Sequence, residues 1–134
     1  MVEYASIVSA VSFFVASLSA AYGSLLPSTA ATARAGAVSI ARSHNLSGAQ
    51  AKTAYAKAPF KRPALRYLYA VGFVGSASNL AACKAAQILG PDPTSAATQS
   101  LEASPRAVAT LRASHVTIAE AASAIGKGTT AGCG

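Results

Sequence analysis

Residues 65–89, LRYLYAVGFVGSASNLAACKAAQIL, constrain the fold more than any other part of the chain. These 25 residues are mostly apolar. Lys61, Arg62, Pro63 and Arg66 stand at the front, and Gly90-Pro91-Asp92-Pro93 stops the run. A helix of about 20 apolar residues is long enough to cross a hydrocarbon core of about 30 Å. The stretch therefore predicts a membrane span. Tyr67 and Tyr69 fall where an interfacial aromatic belt would lie. Gly72, Gly75, Ser76, Asn79 and Cys83 share one face, a small-residue stripe suited to close helix packing. Lys84 sits awkwardly in such a span and would have to snorkel outward.

Residues 5–26, ASIVSAVSFFVASLSAAYGSLL, form a second apolar block with no charge. Ile7, Val11, Phe14, Leu18 and Leu25 share one helical face, and Ser12, Ala16, Ser19 and Gly23 lie opposite. We expect a first span here. A signal peptide would also place an apolar run at this end, but Glu3 and the lack of a basic residue before the run speak against it. A buried helix of a globular protein is the other alternative.

Charge placement sharpens this reading. The chain has 11 basic and 4 acidic residues, for a net +7. Arg34, Arg42, Lys52, Lys57, Lys61, Arg62 and Arg66 lie together, with no Asp or Glu among them. Only 11% of residues are charged, against roughly 25% in ordinary domains. Residues 28–63 read as a basic helical loop between the two apolar blocks. Within it a helix runs from about Ser28 to Ser43, and Ser47-Gly48-Ala49-Gln50 fits a capping box opening a second. The positive-inside rule puts such a loop on the cytoplasmic or matrix side. Lys57, Lys61, Arg62 and Arg66 would then set topology and meet anionic lipid.

Beyond the Pro-Gly break, residues 94–125 read as an amphipathic helical tail. Ser104-Pro105 is an N-cap followed by proline at the first helical position. Val108, Leu111, His115, Ile118, Ala122 and Ile125 recur at spacings of three and four, a seam for a partner helix. Residues 127–134 read as a flexible or partner-held tail. Cys83 and Cys133 are far apart and imply neither a disulfide framework nor a zinc site.

No reaction chemistry is legible. Gly126-Lys127-Gly128-Thr129 lacks the glycine spacing of a phosphate-binding loop. There is no carboxylate pair, no Cys-x-x-Cys and no nucleophile elbow. The sequence predicts no catalytic residue, metal, cofactor or small-molecule substrate. Asn45-Leu46-Ser47 is a formal glycosylation sequon.

The fold class expected is an all-α membrane protein: a two-span helical hairpin with surface helices between the spans and a C-terminal amphipathic helix. Its two Ser/Ala/Gly-faced blocks, its basic loop AKAPFKRPALR and its polar tail resemble small accessory subunits of mitochondrial respiratory complexes. The green-algal complex I type is nearest, with the ATP synthase next. The resemblance lies in layout, and it departs from matrix-targeted precursors because the first 33 residues hold no Arg or Lys. It implies a non-catalytic subunit supporting assembly or stability, partnered by other membrane subunits and not by nucleic acid. The implied location is the inner membrane, with the basic loop in the matrix and both termini in the intermembrane space. Two alternatives belong to other classes: a basic nucleic-acid-binding helical module, and a small channel- or holin-like oligomer.

Overall fold

The computed structural model describes residues 7–8, 25–90 and 92–134. Among them are seven helices and no strand: α1 (Ala30–Ser43), α2 (Gly48–Lys57), α3 (Pro63–Ala77), α4 (Leu80–Leu89), α5 (Pro93–Glu102), α6 (Pro105–Ala113) and α7 (Ile118–Cys133). Ile7 and Val8 are helical and buried in the same core.

Local chemistry sets most of the helix starts. Thr29, Ser47 and Thr117 open α1, α2 and α7 with reciprocal capping boxes to Thr32, Gln50 and Glu120. Each box satisfies two orphan backbone donors. Asp92 caps α5 through the Ser95 N–H, and Ser104 caps α6 through the Ala107 N–H. Prolines 63, 93 and 105 sit in the first helical turn, where no N–H is needed.

The stretch at 65–89 is not one helix. It forms α3 and α4, separated at Ser78 and Asn79. Ser78 Oγ donates to the Gly75 carbonyl, the Asn79 N–H donates to Ser76 O, and Asn79 leaves helical geometry (φ −146°, ψ 65°). Serine and asparagine offer the backbone such alternatives to the helix ladder. No helix among the described residues is long and apolar enough to cross a membrane. The longest, α7, has 16 residues, about 24 Å of rise against a core of about 30 Å. The second expected span is therefore absent. The two-span hairpin and the inner-membrane placement, with its matrix-facing loop, are overturned with it. Most of the first expected span, with Ser12, Ala16, Ser19 and Gly23, lies outside the described residues.

The apolarity of α3 has another cause. It is the central helix, packed against α1 and α2 and, more extensively, against α7. Tyr67, Leu68, Val71 and Val74 are fully buried. A helix covered on several sides carries apolar residues around its circumference, as a span does. Truncating Leu68 to alanine would cost about 2–5 kcal/mol.

The α3–α7 crossing is close enough to need glycine. A Cβ on Gly72 would fall on the Ile125 carbonyl, one on Gly128 on the Tyr69 carbonyl, and one on Gly132 on the Phe73 carbonyl. Helix α5 packs against α7 as well, and Gly126 lies against Thr94. So residues 127–134 are no flexible tail: α7 continues to Cys133, with Thr129, Gly132 and Cys133 buried. Cys133 forms a disulfide with Cys83 of α4, at a Cα–Cα separation of 5.8 Å. That separation lies in the ordinary range for the bond. The fold thus pairs two cysteines that sequence spacing left apart.

Candidate functional site

Two short turns have the same backbone. Between α1 and α2, the Asn45 N–H donates to Arg42 O and the Leu46 N–H to Ala41 O. Between α6 and α7, the His115 N–H donates to Arg112 O and the Val116 N–H to Leu111 O. Both are Schellman closures, with the residue after the C-cap in the left-handed region: Asn45 at φ 62° and His115 at φ 56°. A capping box follows each at once. The described residues therefore contain two helix–turn–helix corners of this kind.

Their surroundings differ. On the first corner, α2 buries Ala51, Ala54 and Tyr55 and leaves Ala49, Gln50, Lys52, Thr53, Ala56 and Lys57 exposed. Arg34, Ala35, Val38, Ser39 and Arg42 of α1, with Lys52 of α2, line a shallow open groove. Arg34, Arg42 and Lys52 are all exposed. No carboxylate occurs in the sequence from Tyr4 to Pro91. Arg34 also lies 5.9 Å from the centroid of the Tyr55 ring, which holds its guanidinium over the face of the corner.

On the second corner the counterparts of Lys52 and Ala56 are Ala122 and Gly126, and both are buried. The α7 helix is enclosed by α3 and α5. Glu120 replaces Gln50 in the capping box. The Thr117 backbone N–H, then the Thr117 side chain, holds the Glu120 carboxyl below its usual value, with a smaller contribution from the Arg62 charge.

The two arginines at α3's entrance are occupied. Arg62 donates through Nη1 to His115 O (2.9 Å) and through Nη2 to Ser114 O (3.1 Å), closing the second corner. Arg66 donates through Nε to Tyr55 O (3.1 Å) and through Nη2 to Ala56 O (2.8 Å), closing the end of α2. Its guanidinium also stacks 4.9 Å from the Tyr55 centroid. Orphan carbonyls at helix C-termini are natural partners for arginine. Of the four cations expected to meet lipid, Arg62 and Arg66 thus hold the protein together, while Lys57 and Lys61 are exposed.

No known protein family, curated protein or solved structure matches this chain. The resemblance to respiratory-complex subunits gains no relative from these comparisons.

The remaining sequence-predicted residues are dispersed. Gly72, Ser76 and Cys83 are buried, Gly72 and Ser76 in the α3–α7 crossing and Cys83 in the disulfide. Gly75 is half-buried and Asn79 exposed. The supposed partner seam is broken at the second corner: Leu111, Ala122 and Ile125 belong to the core, Val108 and Ile118 are half-buried, and His115 is the exposed left-handed residue. Lys84 is exposed on α4, so it has nothing to snorkel from. No group of three or more His, Cys, Asp or Glu among the described residues could hold a metal. Sequence reasoning missed the groove of Arg34, Arg42 and Lys52. Its signal was an acid-free run interrupted by Ser43-His44-Asn45-Leu46, a turn that tolerates a left-handed residue, directly before a capping box.

Proposed function

We propose that this chain is a non-catalytic nucleic-acid-binding module that docks through the first corner. The observation that carries the reading is the exposed Arg34, Arg42 and Lys52 lining one groove of the corner, with Lys57 exposed at the far end of α2, within a sequence run free of Asp and Glu. A surface of one sign attracts phosphate and releases its counterions. The accessory-subunit reading drew on two spans, and a channel-forming oligomer needs spans that the described residues do not provide. The disulfide joins α4 to α7 and contributes no residue to the basic face.

Fluorescence anisotropy with labelled oligonucleotides tests the proposal. With about four phosphates neutralised, affinity should fall about 100-fold between about 50 and about 200 mM salt. Absence of binding at the lower salt would sink it.

A second reading keeps an accessory role without a membrane. Ile88 of α4 is 81% exposed and Leu80 is 46% exposed. An apolar helix face of this kind favours a protein partner, and sedimentation of the purified chain as a compact monomer with no partner recovered on native electrophoresis would count against it.

A further inference from the structure

Resting on the nucleic-acid reading, we infer that α2 is a reading helix that enters the major groove of duplex DNA, while α1 lies across the phosphate backbone. A basic face alone would hold any polyanion. The shape of this one is more selective.

The outward side of α2 carries mostly small side chains near its middle. Its exposed residues are Ala49, Gln50, Lys52, Thr53, Ala56 and Lys57, and its first residue is Gly48. Lys52 and Lys57 are the long side chains on that side besides Gln50, and beside the two lysines Ala49, Thr53 and Ala56 make the surface methyl and hydroxyl. Such a helix can sink into a groove about 12 Å wide and about 8.5 Å deep. The 10 residues of α2 span about 15 Å, enough for a few base steps. Ala49 and Thr53 lie one turn apart and offer methyl groups that match the thymine C5-methyl. The Thr53 hydroxyl suits either a donor or an acceptor, and Lys52 suits guanine O6 and N7. Gln50 would be the obvious adenine reader, but its Oε1 accepts from the Ser47 N–H at 3.2 Å, which commits the side chain to the cap.

Arg34 and Arg42 stand two turns apart on α1 and flank the groove that Lys52 closes. They are placed to grip phosphates on either side of the inserted helix, as the first helix of a DNA-reading helix–turn–helix does. Both ends of α2 are fixed. The Schellman turn and capping box hold its start, and the Arg66 guanidinium holds the Tyr55 and Ala56 carbonyls near its end. The molecule supplies its own contrast, because the same corner at α6–α7 has its second helix buried and cannot enter any groove.

The inference distinguishes nucleic acids by groove shape. The major groove of A-form RNA is deep and narrow and side chains cannot read it. The test compares a DNA duplex, the RNA duplex of the same sequence, single-stranded DNA and heparin, with DNA taken from a random-sequence selection against the full chain. Variants are Ala49→Leu, which adds bulk without charge on an exposed position, and Arg42→Ala. The selected DNA duplex should bind at least about tenfold tighter than the RNA duplex or the single strand. Ala49→Leu should weaken only the DNA duplex, again about tenfold or more, with heparin binding and melting temperature unchanged. Arg42→Ala should weaken all four and lower the salt slope by about one. Equal binding of RNA and DNA duplexes, or an Ala49→Leu variant with full duplex affinity, would overturn the groove reading and leave the basic face standing. No binding to any of the four at low salt would remove both.

Discussion

At residues 44–47 and again at 114–117 the backbone makes the same turn, with the same two closing hydrogen bonds and the same kind of cap. The helices that leave the two turns meet different surroundings. After the first, a helix leaves one side open and basic. After the second, a helix is buried by glycine contacts on α3 and by α5 on another side. Turn geometry is therefore no guide to use in this molecule. The deciding residues lie a turn or two downstream: Lys52 and Ala56 on one helix, Ala122 and Gly126 on the other. Charge and bulk at those positions determine whether a corner becomes a surface or a core.

Exchanging those residues is the strongest way to break the contrast. Ala122→Lys would bury an unpaired ammonium and should cost at least about 3 kcal/mol, enough to abolish most of the stability of a small domain. Lys52→Ala should change stability by less than about 0.5 kcal/mol while weakening nucleic-acid binding. Urea denaturation followed by circular dichroism measures both. A wild-type midpoint for Ala122→Lys would show that the second corner is not enclosed. Opening the Cys83–Cys133 bond should cost about 2–4 kcal/mol, since it closes a loop spanning a sequence separation of 50. The urea midpoint with and without reductant reports this, and salt-dependent binding should survive wherever the reduced protein is still folded.

Smaller effects separate the two turns themselves. His115→Gly should stabilise by about 1 kcal/mol, because a left-handed backbone costs histidine more than glycine. Asn45→Gly should gain less, since the short polar side chain of asparagine bonds locally and tolerates that region. Equal gains in thermal melts would mean that the two turns are strained alike. The smallest effect concerns pH. The carboxyl of Glu120 is depressed by the Thr117 N–H first and the Thr117 side chain second, so its folded pKa lies below the unfolded value of about 4.3. Its contribution is present above that value and is lost as pH falls through the folded pKa. Gln50, at the same place in the first corner, does not titrate. Asp92 is depressed in the same direction by the Ser95 side chain and backbone, so the comparison must be wild type against Glu120→Gln. A melting curve between about pH 6 and about pH 3 should steepen more for the wild type.

Much of the fold was legible where local chemistry decides it. The helix ending at Ser43, the capping box at Ser47 and the Ser104-Pro105 start all stand in the structure as read. The long apolar stretch was misleading because periodicity cannot tell a helix surrounded by protein from one surrounded by lipid. Its break was nonetheless written in Ser76, Ser78 and Asn79. The seam through Val108 and Ile125 misled in a similar way. Its spacing ran unbroken through Thr117-Ile118-Ala119-Glu120, itself a capping signature that marks a new helix. For the candidate site, the sequence shows which residues are basic. It does not show that Arg62 and Arg66 are turned onto backbone carbonyls while Arg34, Arg42 and Lys52 stay outside, because that depends on contacts across the fold.

The bond between Cys83 and Cys133 also changes what a cut would do. It makes a covalent ring of everything from α4 to the end of α7, with α1 to α3 attached as a single arm. A protease that nicks the chain at one point in α5 or α6, or in the linkers beside them, would release nothing. The product would keep its mass apart from one added water, and would fall into two pieces only when the sulfurs were reduced. A nick between α1 and α2 would have no such tether, and only packing would hold that part of the chain in place.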